Sequence, residues 1–474
     1  MTAPVVVVGA DPDALVAAHY LARAGRSVLV LDAHGAEQVA TSGWIPPRIV
    51  RTLGLAQRGL QFERTDPWAA ALLPDGGRLE LWHDVARSVE AIRHVSPRDA
   101  AQWPAFCAHM TRLARLLEGL YAAPPPDPLA TEPAELVRLA GLGLRTRRLG
   151  RQGMTDLFRL LPMSAADFLD DWFESDALKG VLGAGGVRHL HQGPRSGGTA
   201  FALLHRHVGS LPGVFRPARS NVVQILRELP GIEIRRGAQV SRIIVRDGRA
   251  TGVALTNGAE IAAECVLSGA DPRRTLLELV EPGWLEPETI RSVQSIRSRG
   301  VVAQVTLTLD RAPGFGALVI APSLDYIERA YDDAKYRRVS AHPYLEARAD
   351  GRNRVSVHVQ YAPYALADGE WDNARRAALG RRVEELLSPH LGATVVERTV
   401  HSPRDLETAH GWPEGQAHHA ELALDQLLWM RPTPALARYR TSIDGLYLCG
   451  PAMHPGAGIP GAAGANTAHV VMRE

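Results

Sequence analysis

Near the N-terminus, two small residues and two carboxylates have the types and spacing to hold a dinucleotide. The stretch VVVVGADPDALVAAHYLARAGRSVLVLD, residues 5–32, reads as strand, turn, helix and strand. Such a turn needs three small residues: one for the bend, one so that backbone amides reach the diphosphate, and one for close helix–strand packing. Gly9 takes the first role and Ala14 substitutes in the third, but the second falls on Asp11, a carboxylate that stands beside the expected diphosphate unless it points outward, caps the helix or binds a cation. Asp32, about 20 residues further on, closes the second strand and suits a ribose hydroxyl.

Other reactive side chains carry weaker signals. His189, His191, His205 and His207 are close in sequence, yet HLH and HRH are not spaced as a helical metal pair and no cysteine joins them, so no metal site is expected. Asp405, Glu407, His418, His419 and Glu421 could close a substrate lobe, with no acid or base role assigned to any of them. Neither a G-x-S-x-G elbow nor a G-x-x-x-x-G-K-[ST] loop is present, which removes the serine-hydrolase and P-loop classes.

These groups need elements to position them. Pro4–Gly9 and Ser27–Leu31 are short, apolar and non-alternating, the pattern of parallel strands buried on both faces. Asp13–Ala24 between them is rich in alanine and leucine, and Gly25 is placed to end a helix. Ser96–Leu120 starts on an N-cap serine with an acid three residues on, then shows apolar residues at helical spacing. The proline run of Tyr121–Pro128 breaks the chain, and the helices expected as far as Phe173 bear a basic stripe at Arg138, Arg145, Arg147, Arg148 and Arg151. Between Gly231 and Pro272 the turns RDGR and TNGA join alternating strands, and further alternating runs begin at Val301 and Arg354. Gly445–Met472 is again strand, glycine-rich turn and helix.

Composition bounds the class. A chain of 474 residues exceeds one ordinary core and predicts two lobes. Its 46% apolar and 22% charged content is that of a globular protein, and a net charge of +2 gives no electrostatic footprint for nucleic acid. Cys107, Cys265 and Cys449 lie far apart, which fits neither a disulfide framework nor a zinc cluster and points to a reducing, cytoplasmic setting. No apolar run reaches the ~18–20 residues of a membrane span, although the basic stripe leaves peripheral contact with anionic lipid open.

Stretches along the whole chain resemble the phytoene-desaturase-like family of flavin amine-oxidase-type enzymes, in its non-carotenoid branch. They include SPRDAAQWPAF (96–106), SAADFLDDWFESDALKGVL (164–182), GPRSGGTAFALLH (193–205), GAQVSRIIVRDGRATGVALTNGAEI (237–261), LSGADPRRTLLELV (267–280), HAELALDQLLWMRP (419–432) and YRTSIDGLYLCGPAMHPGAGIPGAAGANTA (439–468). The resemblance implies an α/β fold: a discontinuous FAD/NAD(P)-binding Rossmann-like domain from residues 1–70, 205–290 and 415–474, with an inserted α+β substrate domain from 71–204 and 291–414. It implies FAD as cofactor, and a dehydrogenase or desaturase that abstracts hydride from a C–H of an apolar or conjugated small molecule. By family position Gly450, Gly456, Gly458, Ile459 and Gly461 would meet the flavin, Asn466 would follow in a helix whose N-terminus favours phosphate, and Val240 would touch the adenine. His454 would lie near the isoalloxazine, as the one candidate for a catalytic side chain.

Three expected glycine turns depart from that family's pattern: GADPDA at Gly9–Ala14, AHGAEQVATSGW at Ala33–Trp44 and PARSNVVQIL at Pro217–Leu226. They motivate an alternative, a flavin-poor relative serving as a non-redox isomerase or cyclase, or as the structural partner of an active paralogue. A homodimer is the other open assembly.

Overall fold

The computed structural model describes residues 3–35, 41–73, 76–129 and 131–474. Part of the expected AHGAEQVATSGW turn therefore lies outside the described residues.

The strand–helix–strand unit forms as the sequence predicts. Val5–Val8 and Val28–Asp32 pair in parallel and flank the helix Pro12–Arg23. Asp11 is its N-cap, Pro12 fills the first helical position, and Gly25 follows with φ +86°. The two strands extend into a five-stranded parallel sheet ordered Leu446–Leu448, Val266–Ser268, Val5–Val8, Val28–Asp32 and Glu233–Arg236. It draws on the beginning, middle and end of the chain. Side chains alternate between its faces. Val5, Val7, Val28 and Val30 pack against Leu15 and Ala18 of the first helix and Ala465 and Ala468 of the last helix, Ala462–Val471. Val6, Leu29 and Leu31 face Ile243 and Val253 of a three-stranded antiparallel layer.

That layer contains the two hairpins read from RDGR and TNGA. Val240–Arg246 and Arg249–Leu255 are joined through Asp247 and Gly248, with φ +50° and +76°, the left-handed pair a tight hairpin requires.

The second lobe is a seven-stranded mixed sheet ordered Val395–His401, Val302–Leu309, Arg354–Gln360, Leu345–Ala349, Ala317–Ile320, Ala69–Leu72 and Arg78–Leu81. One face packs on the helix Asn373–Leu391 through Val305, Val357 and Val383. A helical layer with Trp103, Phe106 and Leu203 in its core lies beside Ala69, Leu79 and Val319 of the same sheet. The long helix Pro97–Tyr121 begins on Ser96, whose hydroxyl accepts from Asp99 N at 3.1 Å. Asp99 does not complete a capping box. Its carboxylate accepts from Glu174 N and Ser175 N at 2.9 and 2.8 Å, fastening the start of the helix Asp176–Val187.

Candidate functional site

Ligands of open parallel sheets bind outside the carboxyl ends of the strands, where helix N-termini present free amides. Here that edge is lined by Gly9, Gly269 and Gly450, which follow three adjacent strands. The backbones are so close that a Cβ on Gly450 would stand 2.2 Å from Gly269 O, and one on Gly269 would stand 2.7 Å from an Asp11 oxygen and 3.0 Å from Ala14 Cβ. Gly9 has φ +98°, which bends the chain away from the strand.

Asp11 Oδ1 accepts from Asp13 N at 2.8 Å and Ala14 N at 3.1 Å, so the carboxylate takes the amides at the head of the first helix. Asp13 Oδ1 reaches across to Ala463 N and Gly464 N, at 3.1 and 3.4 Å, and takes those at the head of the last helix. No lysine, arginine or histidine forms an ion pair with either among the described residues. Burial pushes Asp11 up to about 6, against the lowering effect of its amide donors. Burial, and then the neighbouring Asp11 charge, hold Asp13 well above the usual carboxylate range.

Asp32 is buried at the end of its strand. Its Oδ2 accepts from Arg227 Nη1 at 2.8 Å and its Oδ1 from Gly35 N at 3.2 Å. Ala238 N donates to Asp32 O at 3.2 Å, which brings the turn before Val240 alongside.

In the C-terminal segment, Gly456, Gly458 and Gly461 have φ between +81° and +105°. Gly456 lies against the Arg431 guanidinium. Arg431 is wholly buried and donates to carbonyls of Ala420, Glu421, Gln426, Pro451 and Met453. Ile459 belongs to the core of the helical layer. Asn466 Oδ1 accepts from Arg48 and its Nδ2 donates to Tyr439 Oη at 3.0 Å and Tyr121 O at 3.4 Å. His454 is buried, and its Nε2 lies 3.2 Å from Leu120 O. Burial pushes it down to about 4, so it is neutral at pH 7, and it lines neither cavity described below.

The larger cavity, ≈ 210 Å³, adjoins this segment. Its wall includes Gly43 and Trp44, and Trp44 N donates to Gly458 O at 3.0 Å. Trp68, Leu211 and Val214 supply apolar surface, and Arg216 and Arg348, with the exposed Glu63 and Arg64, supply charge. Sequence reasoning did not single out these arginines, which lie on separate elements and form no local motif.

The acidic and histidine groups noted in the sequence are engaged elsewhere. Asp405 closes a capping box with Ser402 and pairs with Arg376 through two contacts of 2.7 Å. Glu421 is paired with Arg299 at 2.9 and 3.1 Å, and Glu407 accepts from Tyr364 Oη and Glu414 N. The rings of His189 and His418 lie 4.7 Å apart and tilted by 45°, with His358 edge-on 4.8 Å from His189. Burial pushes His189 and His418 well below the usual histidine range. His205 donates from Nε2 to Ala457 O and accepts from Tyr121 Oη at 2.7 Å, while His207 Nδ1 lies 2.9 Å from Val214 O. His191 packs on Tyr331, and burial pushes His419 down to about 3. No three His, Cys, Asp or Glu converge on a metal position among the described residues.

The model of the family described as flavin containing amine oxidoreductase matches residues 44–471. The chain belongs to that family. Pyridine nucleotide-disulfide oxidoreductase domain-containing protein 2 of Rattus norvegicus is 30% identical, over 99% of this chain and 93% of its own. One of the limonene dehydrogenase subunits of Castellaniella defragrans is 24% identical, over 99% of this chain and 94% of its own. Among solved structures, putrescine oxidase bound to putrescine covers both chains in full with a TM-score of 0.60 at 16% identity, a likeness of fold. Membership makes this chain an FAD-dependent oxidoreductase and does not favour the flavin-poor alternative. No helix among the described residues is long and apolar enough to cross a membrane.

The groove fits a flavin dinucleotide in its framework. A Cβ on Gly9, Gly269 or Gly450 would fill the strand edge, and Asp32 retains lone pairs for a hydroxyl beside its two donors. The diphosphate-facing amides are the exception, since Asp11 and Asp13 already accept from them.

Proposed function

We propose that this chain is an FAD-dependent dehydrogenase or desaturase that takes hydride from a C–H of a small, largely apolar molecule. The bound flavin supplies the redox chemistry. In this reading residues 1–70, 205–290 and 415–474 form the cofactor lobe, and 71–204 with 291–414 the substrate lobe. Asp32 holds the ribose and the turn at Val240 the adenine. Gly9 and Gly450 give the diphosphate close backbone approach along the edge where Asp11 and Ala14 begin the first helix. Gly456, Gly458, Ile459 and Gly461 form the floor under the ring system, and Asn466 fixes the last helix through Arg48 and Tyr439. His454 acts by packing. The substrate body lies against Trp44 and Trp68, which exclude water from the reacting carbon.

The observation that carries this reading is the shared wall: Trp44, which lines the cavity, is hydrogen-bonded to Gly458 of the glycine segment. The test is reoxidation. FAD-loaded protein reduced anaerobically with dithionite is expected to return electrons to oxygen or a benzoquinone in stopped flow. Loaded flavin that neither acceptor reoxidises contradicts it.

The helices Pro133–Arg147 and Gly150–Leu160 expose Val137, Leu144 and Phe158 beside Arg145, Arg147 and Arg148. We infer a peripheral contact of a cytoplasmic protein with anionic lipid there. Co-sedimentation with phosphatidylserine vesicles tests it. Absence of binding, with a homodimer or a paralogue complex on gel filtration, would reassign the face to a second chain.

A further inference from the structure

Beside the larger cavity lies a second of ≈ 30 Å³, above the ~10–15 Å³ that one water needs. Its wall holds Arg188, Arg206, Arg216, Arg219 and Arg348 with a single carboxylate, Glu346, and Arg216 and Arg348 are common to both cavities.

Glu346 is fully engaged. Its Oε2 accepts from Arg188 Nε at 3.1 Å and Arg216 Nη2 at 2.9 Å, and its Oε1 accepts from Tyr344 Oη. It neutralises one guanidinium's worth of charge and leaves four. Arg206 gives one donor to Arg188 O, and its buried Nε has no acceptor. Arg348 is only 8% exposed, and its buried Nε and Nη1 have no acceptor. Glu63 on the exposed rim makes only a long ion pair with it, 3.8 Å from Nη1 and beyond hydrogen-bond distance. Burial, then the charges of Arg216 and Arg219, push Arg348 down to about 8.

A buried guanidinium with two nitrogens lacking hydrogen-bond acceptors is costly, and arginine does not readily relieve the cost by losing its proton. The missing partner is an anion, and the planar fork of arginine suits a carboxylate or phosphate held by two oxygens. The adjoining cavity has Trp44, Trp68, Leu211 and Val214 in its wall, with Glu63, Arg64 and His83 as further polar lining, so the anion would be one end of a molecule whose body is largely apolar.

We propose that Arg348, with Arg216 beside it, seats the oxyanion of an amphiphilic organic acid whose apolar body fills the larger cavity. The inference rests on the reading of that cavity as the substrate site and narrows the substrate to molecules with an anionic end. Arg348 is a specificity-determining residue in it.

Octanoate, 1-octanol and inorganic phosphate are suitable probes, titrated by calorimetry into the full chain as purified, with flavin content read separately by absorbance. Wild-type protein is expected to bind octanoate at least ~10-fold more tightly than octanol. Arg348→Met should reduce octanoate to the affinity of octanol without lowering the melting temperature, and Arg348→Lys should fall between. Phosphate binding that Arg348→Met abolishes would support the same seat and favour a phosphate-ended ligand. Equal affinity for acid and alcohol, no binding of any probe, or unchanged octanoate binding in both variants would overturn the proposal. None of these readouts needs turnover, so they stand or fall independently of whether the reduced flavin returns electrons to an acceptor in the reoxidation experiment.

Discussion

Asp11 and Asp13 are two residues apart, yet they cap different helices. Asp11 accepts from amides of its own helix, and Asp13 from Ala463 and Gly464, some 450 positions away. Both helix heads point to the glycine-lined strand edge, so the amides a diphosphate would use are held by carboxylates.

The first consequence concerns cofactor affinity. Asparagine at position 11 keeps an oxygen for the cap and removes the charge. Asp11→Asn is therefore expected to tighten FAD by at least ~5-fold, the effect of about 1 kcal/mol of charge repulsion. Quenching of flavin fluorescence on titration measures it. Asp11→Ala loses the cap as well and should cost about 1 kcal/mol of stability.

Asp13 is expected to matter for folding. Asp13→Ala strips the acceptor from two buried amides and should destabilise by roughly 1–3 kcal/mol in urea. Asp13→Asn retains an acceptor and should cost less. Equal losses in the two variants would show that the carboxylate charge, not the acceptor, is what the site uses.

The pair also sets a pH dependence. Asp11 is raised from its ordinary value to about 6, and Asp13 is held well above the usual carboxylate range. A raised carboxyl contributes stability below its unfolded pKa of about 4 and loses it as pH rises through the folded value. The groups facing the pair are Cys449, itself held protonated by burial and by both carboxylates, and Tyr439, with Arg48 beyond it. The melting temperature of wild type minus that of Asp11→Asn should fall between pH 4 and pH 7. A flat difference would contradict the assignment.

Arg431 offers a fourth test. Five backbone carbonyls depend on its guanidinium. Arg431→Met should destabilise by at least ~3 kcal/mol and, through Gly456, weaken flavin retention. Thermal melting and the retained absorption of flavin check the two effects separately.

Much of the framework is legible in the sequence because its signals are local. The run Val5–Val8, the cap at Asp11 and the stop at Gly25 are neighbours, and so are the residues of RDGR and TNGA. The long helix at Ser96 is announced by its own first turn, though Asp99 serves Glu174 rather than Ser96. The site is less legible because its decisive contacts are not local. Asp13 to Gly464 spans nearly the whole chain, and the arginines around Glu346 come from positions 188 to 348 with no common spacing. For Asp11 the sequence leaves a misplaced charge and a helix cap both open, and the bonds from Asp13 N and Ala14 N make it the cap.

Flavin stoichiometry tests the central claim most directly. Purified wild-type protein and Asp11→Asn are each incubated with FAD, freed of unbound cofactor, and their visible flavin absorption compared with protein concentration. The predicted result is uptake approaching one FAD per chain in both, with tighter retention in Asp11→Asn. Uptake by neither protein would contradict the assignment of this chain as a working flavoenzyme.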